Sequence, residues 1–193
     1  CTISGFQKNA MALNAGDTTP LVLDVRGNTV TGAGATAVTA QNGIQAWGDL
    51  ITGEIDDNVI SGIGYSGSGW VACSILNYYA EMDLDANTIT GTHVGIYNFD
   101  GAGAITNNEI ETELIGDYCY GIIASDPPTA KPSPFSEGEA PLASGRDMLK
   151  APLALLDVDI IGNTVTNVGT TVAGTYGIEC DACLLYTSDA ADE

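Results

Sequence analysis

Asn28-Thr29-Val30-Thr31-Gly32, Asn58-Val59-Ile60-Ser61-Gly62 and Asn87-Thr88-Ile89-Thr90-Gly91 are copies of one short phrase. Shorter copies follow at Asn108-Glu109-Ile110 and Asn163-Thr164-Val165. The Asn residues are 30, 29, 21 and 55 positions apart. Three residues before each stands an apolar residue, in order Val25, Ile55, Leu84, Ile105 and Ile160, and two residues after stands another. A second mark recurs between the phrases: Gly43-Ile44, Ser74-Ile75, Gly95-Ile96, Gly121-Ile122 and Gly177-Ile178. Self-similarity at this period is the signature of a solenoid, with one strand expected per mark.

The physics of stacking explains why these positions repeat. Coils of a parallel β-helix are spaced by the strand separation of about 4.8 Å, so equal offsets become vertical columns and the inward Ile/Val columns fill a continuous core. Asn tolerates a left-handed turn, and its amides can hydrogen-bond from coil to coil. The expected fold is therefore all-β, a right-handed parallel β-helix of about six coils, with Asn28, Asn58, Asn87, Asn108 and Asn163 as a ladder. A left-handed helix would show a hexapeptide period and a calcium-binding nonapeptide solenoid would show Gly-Gly-x-Gly-x-Asp, and neither is present. A β-sandwich, which also has short strands between turns, is the alternative.

Composition agrees. The 45% hydrophobic content and 193 residues suffice for one domain with a core, and 24 glycines with abundant Val, Ile and Thr favour strands and tight turns. The formal charge of −20 repels phosphate backbones and anionic membranes, so nucleic acid is excluded as a partner class. No apolar run approaches the roughly 20 residues of a membrane-spanning helix, so no membrane insertion is expected of this stretch.

Cys1-Thr2-Ile3-Ser4-Gly5 already fits the phrase, so further coil sequence is expected upstream, together with any signal peptide. Residues 183–193 read like a translated sequencing adapter and are expected to be a non-native tail, leaving residues 1–182 as a single domain. Setting the tail aside also dissolves the apparent Cys180-x-x-Cys183 pair. Cys73, Cys119 and Cys180 fall at different offsets from the Ile mark and are expected to be buried thiols. The 55-residue step contains an insertion at 125–153 with six of the seven prolines and three of the five basic residues. Such a loop is either where a solenoid places function or a solvated excursion.

The repeat resembles that of the pectin-lyase-like right-handed β-helix superfamily over roughly residues 1 to 180. The resemblance implies the fold and a secreted or cell-surface location. It does not choose an activity, because the superfamily includes polysaccharide lyases, glycoside hydrolases, epimerases, tailspikes and adhesins. Polygalacturonase-like members carry Asn-Thr-Asp, Asp-Asp, Gly-His-Gly and Arg-Ile-Lys, and only Asp56-Asp57 matches any of these here. Pectate-lyase-like members need a basic catalytic residue, and Lys8 and Arg26 are the only basic residues outside the insertion. The sole histidine, His93, is expected to be structural.

Strand alternation points two sets of side chains outward. Asp24, Glu54, Asp83, Ala104 and Asp159 lie four residues before each Asn, with Arg26, Asp56 and Asp85 in a parallel column. The acids Asp24, Glu54 and Asp83 are candidate Ca²⁺ ligands. Asp56, Asp57, Asp83 and Asp85 are candidate catalytic carboxylates should the chain be a lyase or hydrolase, since coil spacing matches the carboxyl separations of glycoside hydrolysis. A solvated acidic face explains them equally without chemistry. Trp47, Tyr78 and Phe99 lie three residues after the Ile mark and form either an outward carbohydrate-binding platform or rings folded into the core. The expected function is binding of polysaccharide or cell-surface glycan without catalysis in these coils. The alternatives are a polysaccharide-degrading enzyme and a structural passenger or stalk.

Overall fold

The computed structural model describes residues 1–15, 18–67, 69–115, 119–125, 158–168 and 175–181. The insertion beyond Ser125 and the tail 183–193 lie outside the described residues. The chain is a right-handed parallel β-helix with three parallel sheets.

Each full coil has three strands, because the Asn turn has one strand entering and another leaving while the Gly-Ile mark supplies the third. The strands leaving the Asn turn are β1 (Thr2–Ser4), β4 (Thr29–Thr36), β7 (Val59–Tyr65), β10 (Thr88–Thr92), β13 (Glu109–Glu113) and β16 (Thr164–Val168), which make the first sheet. The Gly-Ile strands β2 (Asn9–Asn14), β5 (Asn42–Trp47), β8 (Cys73–Tyr78), β11 (Val94–Phe99), β14 (Cys119–Ser125) and β17 (Thr175–Asp181) make the second. The third sheet enters the Asn turn through β3 (Leu21–Arg26), β6 (Ile51–Asp56), β9 (Glu81–Asp85), β12 (Gly103–Thr106) and β15 (Val158–Ile161). All pairings are parallel, and after the long step the chain returns in register, with Ala104 opposite Asp159 and Glu109 opposite Thr164.

One apolar column from each sheet fills the interior. Val30, Ile60, Ile89, Ile110 and Val165 come from the first sheet, Ile44, Ile75, Ile96 and Ile122 from the second, and Val25, Ile55, Leu84, Ile105 and Ile160 from the third. These are the offsets expected from the repeat. Burying each such side chain contributes about 1.5–3 kcal/mol, and the repetition gives a core that lengthens with every coil.

The Asn ladder runs the length of the described coils. Asn28 donates its backbone N–H and its side-chain amide to Asn58 Oδ1, at 3.0 and 2.9 Å. Asn58 does the same to Asn87, Asn87 to Asn108, and Asn108 to Asn163. From Asn58 onward each amide also reaches back to the preceding coil, as when Asn58 Nδ2 donates to the Val25 carbonyl at 2.8 Å. Cys1 stands at the ladder position of its coil, and its amino group donates to Asn28 Oδ1 at 3.0 Å.

The expected backbone role of these Asn residues is corrected. The left-handed residue is the one before each of them: Gly27, Asp57, Ala86, Asn107 and Gly162, with φ between 52° and 70°. The turn thus separates two tasks. One residue bends the chain, and the Asn ties the bend to its neighbours.

Candidate functional site

The outer face of the third sheet carries the acidic columns. Asp24, Glu54 and Asp83 are successive register partners, and so are Arg26, Asp56 and Asp85. Arg26 binds this face together: its guanidinium donates to Asp24, reaches Glu54 Oε2 at 3.3 Å, and lies 3.6 Å from Asp56 Oδ1. The hydrogen bond to Asp24 and the surrounding negative charges hold the guanidinium above its ordinary range. Further along, Asp83 Oδ1 accepts the Ala104 N–H at 2.9 Å, and Asp85 Oδ1 accepts from Thr106 Oγ1 and from Asn107 Nδ2 at 2.8 Å. Asp57 sits exposed in its left-handed turn. The face is a clasp between coils, in which one cation and several donors occupy the carboxylates. Among the described residues, no group of three or more His, Cys, Asp or Glu side chains is placed to hold a metal ion.

The aromatic column lies on the outer face of the second sheet. Trp47, Tyr78 and Phe99 are register partners at the ends of β5, β8 and β11. Their rings meet face to face, with centroids 4.0 Å apart for Trp47–Tyr78 and 4.5 Å for Tyr78–Phe99. Tyr79 stands edge-on to Tyr78 at 4.4 Å, its backbone in the left-handed region at φ 64°. Burial and the hydrogen bond with Tyr79 hold the Tyr78 phenol well above its ordinary range. The geometry is therefore a column of stacked coins, in contrast to the flat platform that outward rings on separate coils suggest. The inner ring faces are spent on one another, Phe99 is only 3% exposed, and the stack ends at Trp47 on one side and at Phe99 on the other. Phe99 joins a second apolar cluster on this outer face with Val71, Cys73, Leu76, Val94, Tyr97 and Ile123.

Beside Trp47 the same face turns polar, and sequence reasoning missed this part. Asn9, Asn42, Gln45 and Asn14 form a linked amide quartet: Asn42 Nδ2 donates to Asn9 Oδ1 and to Gln45 Oε1, both at 3.2 Å. Asn9 Nδ2 donates to Gln45 Oε1 at 3.3 Å, and Gln45 Nε2 donates to Asn14 Oδ1 at 3.4 Å. Asn14 is the register partner of Trp47, which puts it on the side of the indole away from Tyr78. At the other end of the strand, the Lys8 ammonium lies 5.9 Å from the Trp70 ring centroid. Strict alternation would put Asn42 and Gln45, three residues apart and both buried, on opposite faces, so offsets alone gave no signal for the quartet.

His93 is buried at the corner between β10 and β11, its backbone N–H donating to Ile63 and its carbonyl accepting from Tyr120. Cys73 and Cys119 carry buried free thiols, and burial pushes the Cys73 thiol up to about 12.

No protein-family model, curated protein or solved structure matches the chain.

Proposed function

We propose that the chain is a secreted or surface-displayed β-helix of the pectin-lyase-like kind that binds polysaccharide or cell-surface glycan, without acting on it in these coils. The observation that carries this reading is the amide quartet beside half-buried Trp47, with Asn42 and Gln45 at its buried base and exposed Asn14 at its edge. Sugar rings present apolar C–H faces that lie on an indole and hydroxyls that exchange hydrogen bonds with amides, and Asn and Gln offer both donors and acceptors without charge. Of the candidate catalytic carboxylates, Asp56 lies beside Arg26 and Asp83 and Asp85 accept hydrogen bonds from the neighbouring coil, whereas Asp57 is exposed. Calcium is a candidate ligand only if a glycan supplies part of its coordination.

Glycan-array and calorimetric binding, with and without Ca²⁺, tests the reading. Trp47→Ala and Gln45→Ala are expected to weaken binding by about tenfold or more each, the loss of a stacked ring or of buried polar contacts. Unchanged affinity in both variants would remove the site. Release of reducing ends or unsaturated uronides that Asp56→Ala abolishes would replace the binding reading with an enzymatic one.

A further inference from the structure

The first sheet presents an outer face of its own. Along its first four strands, the outward residues form two columns flanking the inward Ile3, Val30, Ile60 and Ile89. One column is Thr2, Thr29, Val59 and Thr88, and the other is Ser4, Thr31, Ser61 and Thr90. In a chain of net charge −20 this patch carries no charged side chain, whereas the adjoining third sheet and the next strand, with Glu109, Glu111 and Glu113, are acidic. Among the described residues, none of its hydroxyls is hydrogen-bonded within the protein. The hydroxyls therefore stand in a regular array, spaced about 4.8 Å across strands and about 6.6 Å along them.

The geometry points to this face as an ice-binding plane, whose ligand is the ordered water lattice at the surface of an ice crystal. The array is rigid in both directions: β-branched Thr and Val are stiff at χ1, and the core columns and Asn ladder fix the spacing of the coils. Ice repeats its oxygens in two dimensions at comparable intervals, so hydroxyls fixed at these positions can occupy lattice sites while the methyl groups of Thr and Val lie between them. A charged side chain would hold its own disordered hydration shell against the crystal, and the patch has none. Each contact is weak, but contacts on one rigid body engage together, and their avidity multiplies with each additional coil.

The test uses the full chain in ice-recrystallisation and thermal-hysteresis assays, with Thr31→Tyr, Thr90→Tyr and Thr31→Lys on the plane and Val22→Tyr, on the exposed outer face of β3, as control. Circular dichroism verifies that each variant keeps the sheet structure. The wild-type chain is expected to suppress recrystallisation, the plane variants to lose that activity, and Val22→Tyr and Trp47→Ala to retain it. Retention in Trp47→Ala separates this plane from the glycan site. A wild-type chain that leaves ice growth unchanged, or folded plane variants that match it, would overturn the proposal. So would loss of binding to microcrystalline cellulose in the plane variants without any effect on ice, which would assign the plane to a crystalline polysaccharide.

Discussion

Asn58 is fully buried, and its amide holds three coils at once: it accepts from Asn28, donates to Asn87, and donates back to the carbonyl of Val25. Truncating it strands two donors of Asn28 and the Val25 carbonyl in a dry interior. Asn58→Ala is expected to cost about 3 kcal/mol in urea unfolding, whereas Asn163→Ala, half-buried at the far end of the ladder, is expected to cost about 1 kcal/mol. A second buried group links stability to pH. The Cys73 thiol ionises near 9 when free and near 12 in the fold, so between these values the unfolded chain loses a proton that the folded chain keeps. Stability is therefore full below pH 9 and falls as pH rises towards 12, by at most about 1.4 kcal/mol per pH unit. Cys73→Ala is expected to remove the part of the decline that begins at pH 9, measured as the urea midpoint against pH. At this scale the sequence was partly legible. The Asn positions were plain from their recurrence, but Asn both bends chains and bonds amides, and only the backbone shows that Asp57, Ala86 and Asn107 bend while Asn58, Asn87 and Asn108 bond.

Strands report their faces through alternation, which is why the Asp24–Glu54–Asp83 and Trp47–Tyr78–Phe99 columns could be drawn from offsets alone. Offsets give vertical register but not ring orientation, so the closed stack could not be distinguished from an open platform. The amide quartet was hidden for a different reason. Two of its members belong to β2, whose mark is Ala10-Met11 and matches the Gly-Ile pattern poorly. Glycines inside strands carry their own information about coil contact. Gly53 in β6 has φ 133°, and a Cβ there would come within 1.9 Å of the Leu23 carbonyl oxygen in the coil below. Gly34 in β4 also has positive φ but faces open space. Gly53→Ala is expected to destabilise by about 4 kcal/mol or more, and Gly34→Ala by only about 1 kcal/mol, in the same unfolding assay. Equal losses would mean that the two sheets approach their neighbours differently from the arrangement described.

For the whole molecule, the sorting of surface chemistry by sheet follows from the solenoid itself. A coil of three strands gives three outer faces of distinct character: hydroxyls along the first four strands of the first, amides and aromatics on the second, carboxylates on the third. The period of the repeat made the fold legible, because only stacked coils bring residues 30, 29 and 21 positions apart into one column. The face chemistry was less legible, because any one outward residue reads as ordinary surface until its vertical neighbours are known. The glycan site and the ice-binding plane proposed above both depend on coil register. The most direct test of that register is an NMR measurement on the side-chain amides. Asn58, Asn87 and Asn108 are expected to show Overhauser contacts to the next amide in the ladder and slow hydrogen exchange, while exposed Asn14 and Asn107 exchange quickly. Uniformly rapid exchange with no contacts between Asn58 and Asn87 would contradict the stacked-coil account.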